Sequence, residues 1–207
     1  MEKSPYNVQK WDYVKKELLK IDALLKNNVD IYLIGGSAMS YYGIKDATKD
    51  IDVLFKNQYD CADFFNAITE LGYETSEQYF PPVIQMEATF FVYKDDEIWI
   101  DLFVENVMNK FELSQSIQKR AVKTDLSTKK LKVYCLDLHD IFLFKSITPR
   151  ERDESDLILL LTKTTIDFKI IHKEITNQSK KYKDLKEAFN TKMKKLEEKG
   201  YYVEYIK

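Results

Sequence analysis

Two cysteines and two histidines in 207 residues leave little scope for redox or soft-metal chemistry. Cys61 and Cys135 lie far apart and form no C-x-x-C pair. That excludes a disulfide framework and a zinc ribbon, and both residues read as buried thiols of a reducing, cytoplasmic compartment. His139 and His172 stand alone, with no second ligand at metal spacing. Five glycines and four prolines are too few for a fibrous or disordered chain. No apolar run approaches the roughly 18 residues of a bilayer span. The opening segment MEKSPYNVQKWDYVKK also has no apolar signal region, so neither membrane insertion nor secretion is expected. No sign of charge dominates either. Lys and Arg number 32 against 34 Asp and Glu, a formal charge of −2, which disfavours a globally basic nucleic-acid binder and still allows a local basic patch.

What is present is apolar material for a core, 44% of residues, with 14% aromatic. The length predicts one compact unit or one with a helical extension. Trp11, Val14, Leu18, Ile21 and Leu25 recur at helical steps within 9–26. Strands are expected over 31–34 and 51–55, with a short helix over 38–42 and a longer one over 59–71 ending at Gly72. After Pro81-Pro82, a hairpin of 85–93 and 98–104 flanks a turn at 94–97. A helix over 113–122 and a strand over 131–135 complete a mixed α/β (α+β) unit, residues 1–136. From 137 to 207 the pattern is helical, with helices expected over 138–146, 154–161, 166–175 and 180–199. This half reads as a helical subdomain packed on the first. The last helix has an apolar face of Tyr182, Leu185, Phe189, Met193 and Leu196, and its lysines, from Lys180 to Lys199, read as a solvated face or a surface for RNA or a protein partner.

The chemistry concentrates in IYLIGGSAMSYYGIKDATKDIDVLF, residues 31–55. A strand runs into Gly35-Gly36-Ser37 and then a helix. Glycines there allow close backbone approach to a ligand, and the free amides of a helix start suit an anion such as a polyphosphate. A plain tight turn is the simpler alternative. The segment is neither a P-loop nor a dinucleotide fingerprint. Asp50-Ile51-Asp52-Val53 then opens a strand, in which residues two apart share a face about 6.6 Å apart. Asp101, amid Ile98-Trp99-Ile100 and Leu102-Phe103, is costly to bury unless paired or bound to a cation. If its strand neighbours that of Asp50 and Asp52, about 4.8 Å away, three carboxylates form one cluster. Mg²⁺ or Mn²⁺ with all-oxygen ligands relieves their repulsion, and two ions about 3.5–4 Å apart would clamp a phosphoryl group.

Gly35-Gly36-Ser37 followed by Asp50-x-Asp52 and a distant Asp101 resembles the signature of the DNA polymerase β-like nucleotidyltransferase superfamily. Leu138 to Lys145, then Arg150-Glu151-Arg152-Asp153 and Asp156, is similar to its minimal AbiEii-like members, toxins of toxin–antitoxin systems. The resemblance implies a nucleotidyltransferase-like mixed sheet flanked by helices. It implies that Ser37, with Gly35 and Gly36, contacts nucleotide phosphate, and that Asp50 and Asp52 hold the metals. Asp101 would complete the metal site or act as base, and Lys145 would neutralise triphosphate. Asp46 stands where relatives often carry Arg, with Lys45 the nearest cation.

From the residues alone, Lys145 either pairs with Asp153 or Asp156 as a structural bridge or binds phosphate. Arg150 and Arg152 form either an exposed charged turn or an anion-binding lip for nucleotide. Asp153 and Asp156 read as acids suited to a helix start. The function expected is a metal-dependent transfer of NMP from an NTP to an acceptor hydroxyl or amine, releasing pyrophosphate. ATP is one such nucleotide, the acceptor is RNA, protein or a small molecule, and an antitoxin-like partner is implied. The alternative is a non-catalytic module of the same fold that pairs with a partner protein.

Overall fold

The computed structural model describes residues 10–75, 90–94, 98–107 and 109–206. Helix α1 (Trp11–Leu24) buries Val14, Leu18 and Ile21 along one stripe, as its period requires. It is followed by β1 (Val29–Leu33), α2 (Gly35–Tyr41), β2 (Asp50–Phe55) and α3 (Gln58–Glu70). The side chain of Asn57 caps α3 by accepting from the Asp60 amide. Next come β3 (Glu74–Thr75), β4 (Phe90–Lys94), β5 (Ile98–Val104), β6 (Asn106–Val107) and β7 (Phe111–Glu112). Helix α4 (Gln115–Arg120), β8 (Val122–Lys123) and β9 (Leu131–Cys135) close the sheet-bearing half. Four helices follow: α5 (Leu138–Ser146), α6 (Arg152–Lys163), α7 (Phe168–Gln178) and α8 (Leu185–Glu198).

Seven strands form one mixed sheet in the order β3-β4-β5-β2-β1-β9-β8. β1 runs parallel to β9 and antiparallel to β2, and β2 runs parallel to β5, which pairs antiparallel with β4. Along β2, Ile51, Val53 and Phe55 share one face. Phe55 meets Phe64 of α3 with ring centroids 5.3 Å apart, so α3 covers that face. The opposite face carries Asp52, with α2 against β2 and α5 against α2. The fold is thus a mixed α/β arrangement with helices flanking a mixed sheet.

Several boundaries differ from the sequence-based expectation for local reasons. The helix expected at 38 begins at Gly35, because Ile34 already takes the extended cap conformation and Gly35 turns the chain at φ +56°. The helix expected over 113–122 is confined to Gln115–Arg120. Ser114 caps it, and Val122 and Lys123 are drawn into pairing with Cys135 and Tyr134. The final helix starts at Leu185 rather than 180. Residues 85–89 of the expected hairpin and 95–97 of its turn lie outside the described residues. Cys61 and Cys135 are free and buried. Among the described residues, no helix is long and apolar enough to cross a membrane.

The α4–α5–α7 junction is tied by a buried ion cluster. Arg120 donates to Asp140 at 2.9 and 2.7 Å and to Glu174 at 2.8 Å, and Glu174 also accepts from Ser114, Ser116 and Gln178. Each of the four carboxylate oxygens accepts at least one hydrogen bond, which is what makes the charges tolerable there.

Candidate active site

The parallel register of β2 and β5 sets Asp52 directly opposite Asp101. Two residues earlier on the same face stands Asp50. A carboxylate oxygen from each of the three lies within 4.8 Å of those of the other two. Asp52 and Asp101 are buried and Asp50 is half-buried. Burial, then the charge of Asp50, push the Asp52 carboxyl up to about 7, against the pull of Arg150, Lys145 and Arg152. Asp101 is raised well above the usual carboxylate range by burial and by both neighbouring aspartates. Three acids held this close, two of them shut away from water, form an all-oxygen donor set suited to a hard divalent cation.

The glycine turn fits around this cluster. The Gly36 amide donates to Asp52 Oδ2 at 3.2 Å. A Cβ on Gly35 would overlap that same oxygen, and one on Gly36 would lie 2.5 Å from Thr48 Oγ1. Both glycines are therefore required by close approach. Ser37 is fully buried in the first turn of α2, and its hydroxyl donates to the Ile34 carbonyl at 2.9 Å. It braces the turn from within, while Ile34 occupies the N-cap position of α2.

A cleft of about 240 Å³ opens beside the carboxylates. One wall is Gly36, Asp50 and Asp52 with the α2–β2 loop residues Lys45, Thr48 and Lys49. The other is Lys145 of α5 together with Arg150, Arg152, Asp153 and Asp156. The two arginines and the lysine singled out in the sequence thus face two of the three singled-out acids across one cleft. Asp101 lies just behind, beside Asp52.

The cationic wall is itself an ordered ion-pair ladder. Lys145 Nζ lies 3.0 Å from Asp153 Oδ1 and 2.6 Å from Asp156 Oδ2. Asp156 Oδ1 also accepts from Lys45 at 3.0 Å, and Asp153 Oδ2 accepts from Arg150 Nε at 2.9 Å and from the Thr148 hydroxyl. Burial works against the Lys145 charge, but Asp153 and Asp156 outweigh it and raise its pKa. Burial likewise opposes the Asp153 charge, yet Lys145 and Arg150 hold that carboxyl well below its usual range. Of the alternatives open for Lys145, the bridge to Asp153 and Asp156 is present, and the same side chain lines the cleft.

Asp153 and Asp156 are more than acids of a helix start. Their side chains join cations from three segments of the chain. The sequence carried a signal for this: Asp153, Asp156, Leu157 and Leu160 fall at inward-facing positions of one helix, and all four are buried. Lys45, Thr48 and Lys49 carried no such signal, because loop residues gain their place only from the folded chain.

Among solved structures, a crystal structure of ANT(2″)-Ia in complex with adenylyl-2″-tobramycin aligns at 16% identity and TM-score 0.48, over 87% of this chain and 99% of that one. A solution structure of the antibiotic-resistance factor ANT(2″)-Ia aligns at 17% identity and TM-score 0.48, over 91% and 98%. An antigenic nucleotidyltransferase-like protein from Paracoccidioides brasiliensis aligns at 17% identity and TM-score 0.43, over 88% and 94%. No curated protein matches the sequence significantly. A family profile described as nucleotidyltransferase of unknown function, DUF6036, matches residues 13–207. With nearly the whole chain matched, the protein belongs to this family of nucleotidyltransferases.

Proposed function

We propose that the protein moves a nucleoside monophosphate from an NTP to an acceptor hydroxyl or amine and releases pyrophosphate, with Mg²⁺ or Mn²⁺ held by Asp50, Asp52 and Asp101. The observation that carries this reading is the convergence of the three carboxylates within 4.8 Å, facing Lys145, Arg150 and Arg152 across a cleft. Such an arrangement suits an NTP, because one wall takes divalent cations and the other takes the negative phosphate tail.

When bound, the divalent ions supply neutralisation of charge on the transferring phosphoryl group and activation of the incoming nucleophile. The chain's own residues do the remainder. Arg150 and Arg152 offer planar donor forks to phosphate oxygens, and Lys145 and Lys45 offer point charges. The Gly35-Gly36 turn lets backbone come close to the carboxylates, and the Gly36 amide fixes the Asp52 side chain. Catalysis is mainly positioning and charge compensation, which in-line displacement at phosphorus requires. We read residues 1–136 as the unit that bears the acids and 137–207 as the helical part that brings the cations to them.

The test is product analysis of the purified protein with each NTP, Mg²⁺ and fractionated cell extract. Pyrophosphate released in step with acceptor labelling, and lost in Asp101→Asn, is the expected result. Orthophosphate as the product, or pyrophosphate undiminished in Asp101→Asn, would reject it. A toxin-type activity on RNA, with a protein antitoxin as partner, is the finer reading, favoured by the presence in the cleft of the Lys145–Asp156 segment that bears that resemblance. Labelling confined to the RNA fraction is its expected outcome.

A further inference from the structure

The C-terminal lysines, read from the sequence as a solvated face or a surface for RNA or a protein partner, include one that is buried. Lys192 of α8 is buried, because it shares the inward stripe of Leu185, Phe189, Met193 and Leu196. Its Nζ donates to the backbone carbonyl of Arg150 at 3.2 Å and lies 3.7 Å from Glu154. Glu154, at the start of α6, is gripped further by Lys195 at 3.2 Å and Lys199 at 2.6 Å. The last helix and its cap residue therefore fasten the α5–α6 loop at the Arg150 carbonyl and the start of α6 at the Glu154 carboxylate.

The Arg150 side chain lines the same cleft as Asp50 and Asp52 and is bonded to Asp153. A guanidinium at the end of a flexible stem is useful to phosphate only when its backbone is fixed, since an ångström of drift removes a bidentate contact. Burying an ammonium is costly, and burial lowers the Lys192 pKa, so a simple packing role at this position would favour an apolar residue. We propose that Lys192 is a positioning residue for nucleotide binding: its bond to the Arg150 carbonyl sets the loop so that the Arg150 guanidinium meets the triphosphate. This rests on the role proposed for Arg150 above.

A double-mutant cycle on the full-length protein tests it. Affinity for each of the four NTPs with Mg²⁺ is measured by titration calorimetry for wild type, Lys192→Met, Arg150→Ala and the double variant. All measurements are made well below the lowest Tm of the set, so that global stability does not enter. Lys192→Met is expected to weaken binding about three- to tenfold, in line with loss of a charged hydrogen bond, and Arg150→Ala by more. In the Arg150→Ala background Lys192→Met should change affinity by less than about twofold, because the group it positions is gone. Wild-type affinity in Lys192→Met, or its full effect persisting without Arg150, would overturn the inference while leaving the nucleotide site intact. Wild-type affinity in Arg150→Ala would instead overturn the Arg150 assignment, and the inference with it. Lys192→Gln serves the same cycle if Lys192→Met does not fold.

Discussion

Replacing Asp52 by Asn should make the metal-free protein more stable, an unusual outcome for a polar change at a buried position. The isosteric amide keeps an acceptor for the Gly36 N–H, which stands 3.2 Å from Oδ2, and loses only the charge. Burial, and then the charge of Asp50, raise the Asp52 carboxyl from 3.8 to about 7. At about 1.36 kcal/mol per unit, keeping it ionised above pH 7 costs up to about 4 kcal/mol. Relaxation and sharing of protons with Asp101 reduce this, so a gain of about 2–4 kcal/mol is expected at pH 7.5. For a chain of this size that is roughly 5–15 °C in Tm. Thermal melts in EDTA read the gain directly. Melts with millimolar Mg²⁺ or Mn²⁺ should reverse the order, because wild type binds the ion in its folded state only and Asp52→Asn has lost a ligand. If the variant in EDTA is no more stable than wild type, or if both gain equally from the metal, the carboxylate cluster is not a strained cation site and the reasoning fails.

Three further outcomes follow from the same contacts. In EDTA, stability should rise as pH falls from 8 to about 5 and fall again below about 4. The raised Asp52 and Asp101 penalise the fold above their folded pKa values, and that penalty is relieved as they take up protons. The lowered Asp153, Asp156 and Glu174 contribute above their unfolded values near 4 and lose that contribution below. Melts across this range check it, and a steady loss from pH 8 downward would contradict it. Gly36→Ala should impair metal-dependent activity through the 2.5 Å approach of its Cβ to Thr48 Oγ1, and Thr48→Ala in the same chain should restore much of it, since only the hydroxyl is in the way. Arg120→Met leaves Asp140 and Glu174 buried without their shared cation and should lower unfolding free energy in urea by about 3 kcal/mol, toward the lower end because Glu174 keeps three other donors.

The acid half of the site was legible because its signals are local. Asp50 and Asp52 share a face by strand period alone, and Asp101 stands out as a charge within an apolar strand. The one assumption needed was that β2 and β5 are neighbours, and they pair with Asp52 opposite Asp101. The strand over 131–135 and the helix over 138–146 have the bounds expected, since each is closed by sharp cues, the Asp137 cap among them. The cationic half was legible only in its members. Lys145, Arg150 and Arg152 were singled out, but the ladder through Asp153, Asp156 and Lys45 joins residues 111 positions apart in the case of Lys45 and Asp156, a distance no local period spans. Lys192 was hidden for a different reason. A lysine on an apolar stripe within a basic run reads as solvated until its stripe is counted position by position. For Ser37 nothing in the sequence signalled that its hydroxyl donates to the carbonyl of Ile34, a contact made only once the turn closes.

The central claim is transfer of the α-phosphoryl group at the Asp50–Asp52–Asp101 cluster. The most direct measurement compares α-³²P and γ-³²P forms of each NTP, with Mg²⁺ or Mn²⁺, against separate RNA, protein and small-molecule fractions, beside an Asp50→Asn, Asp52→Asn double variant. The account predicts label from the α position only, in one fraction, and none with the double variant. Label from the γ position, or α label undiminished without the two carboxylates, would contradict it.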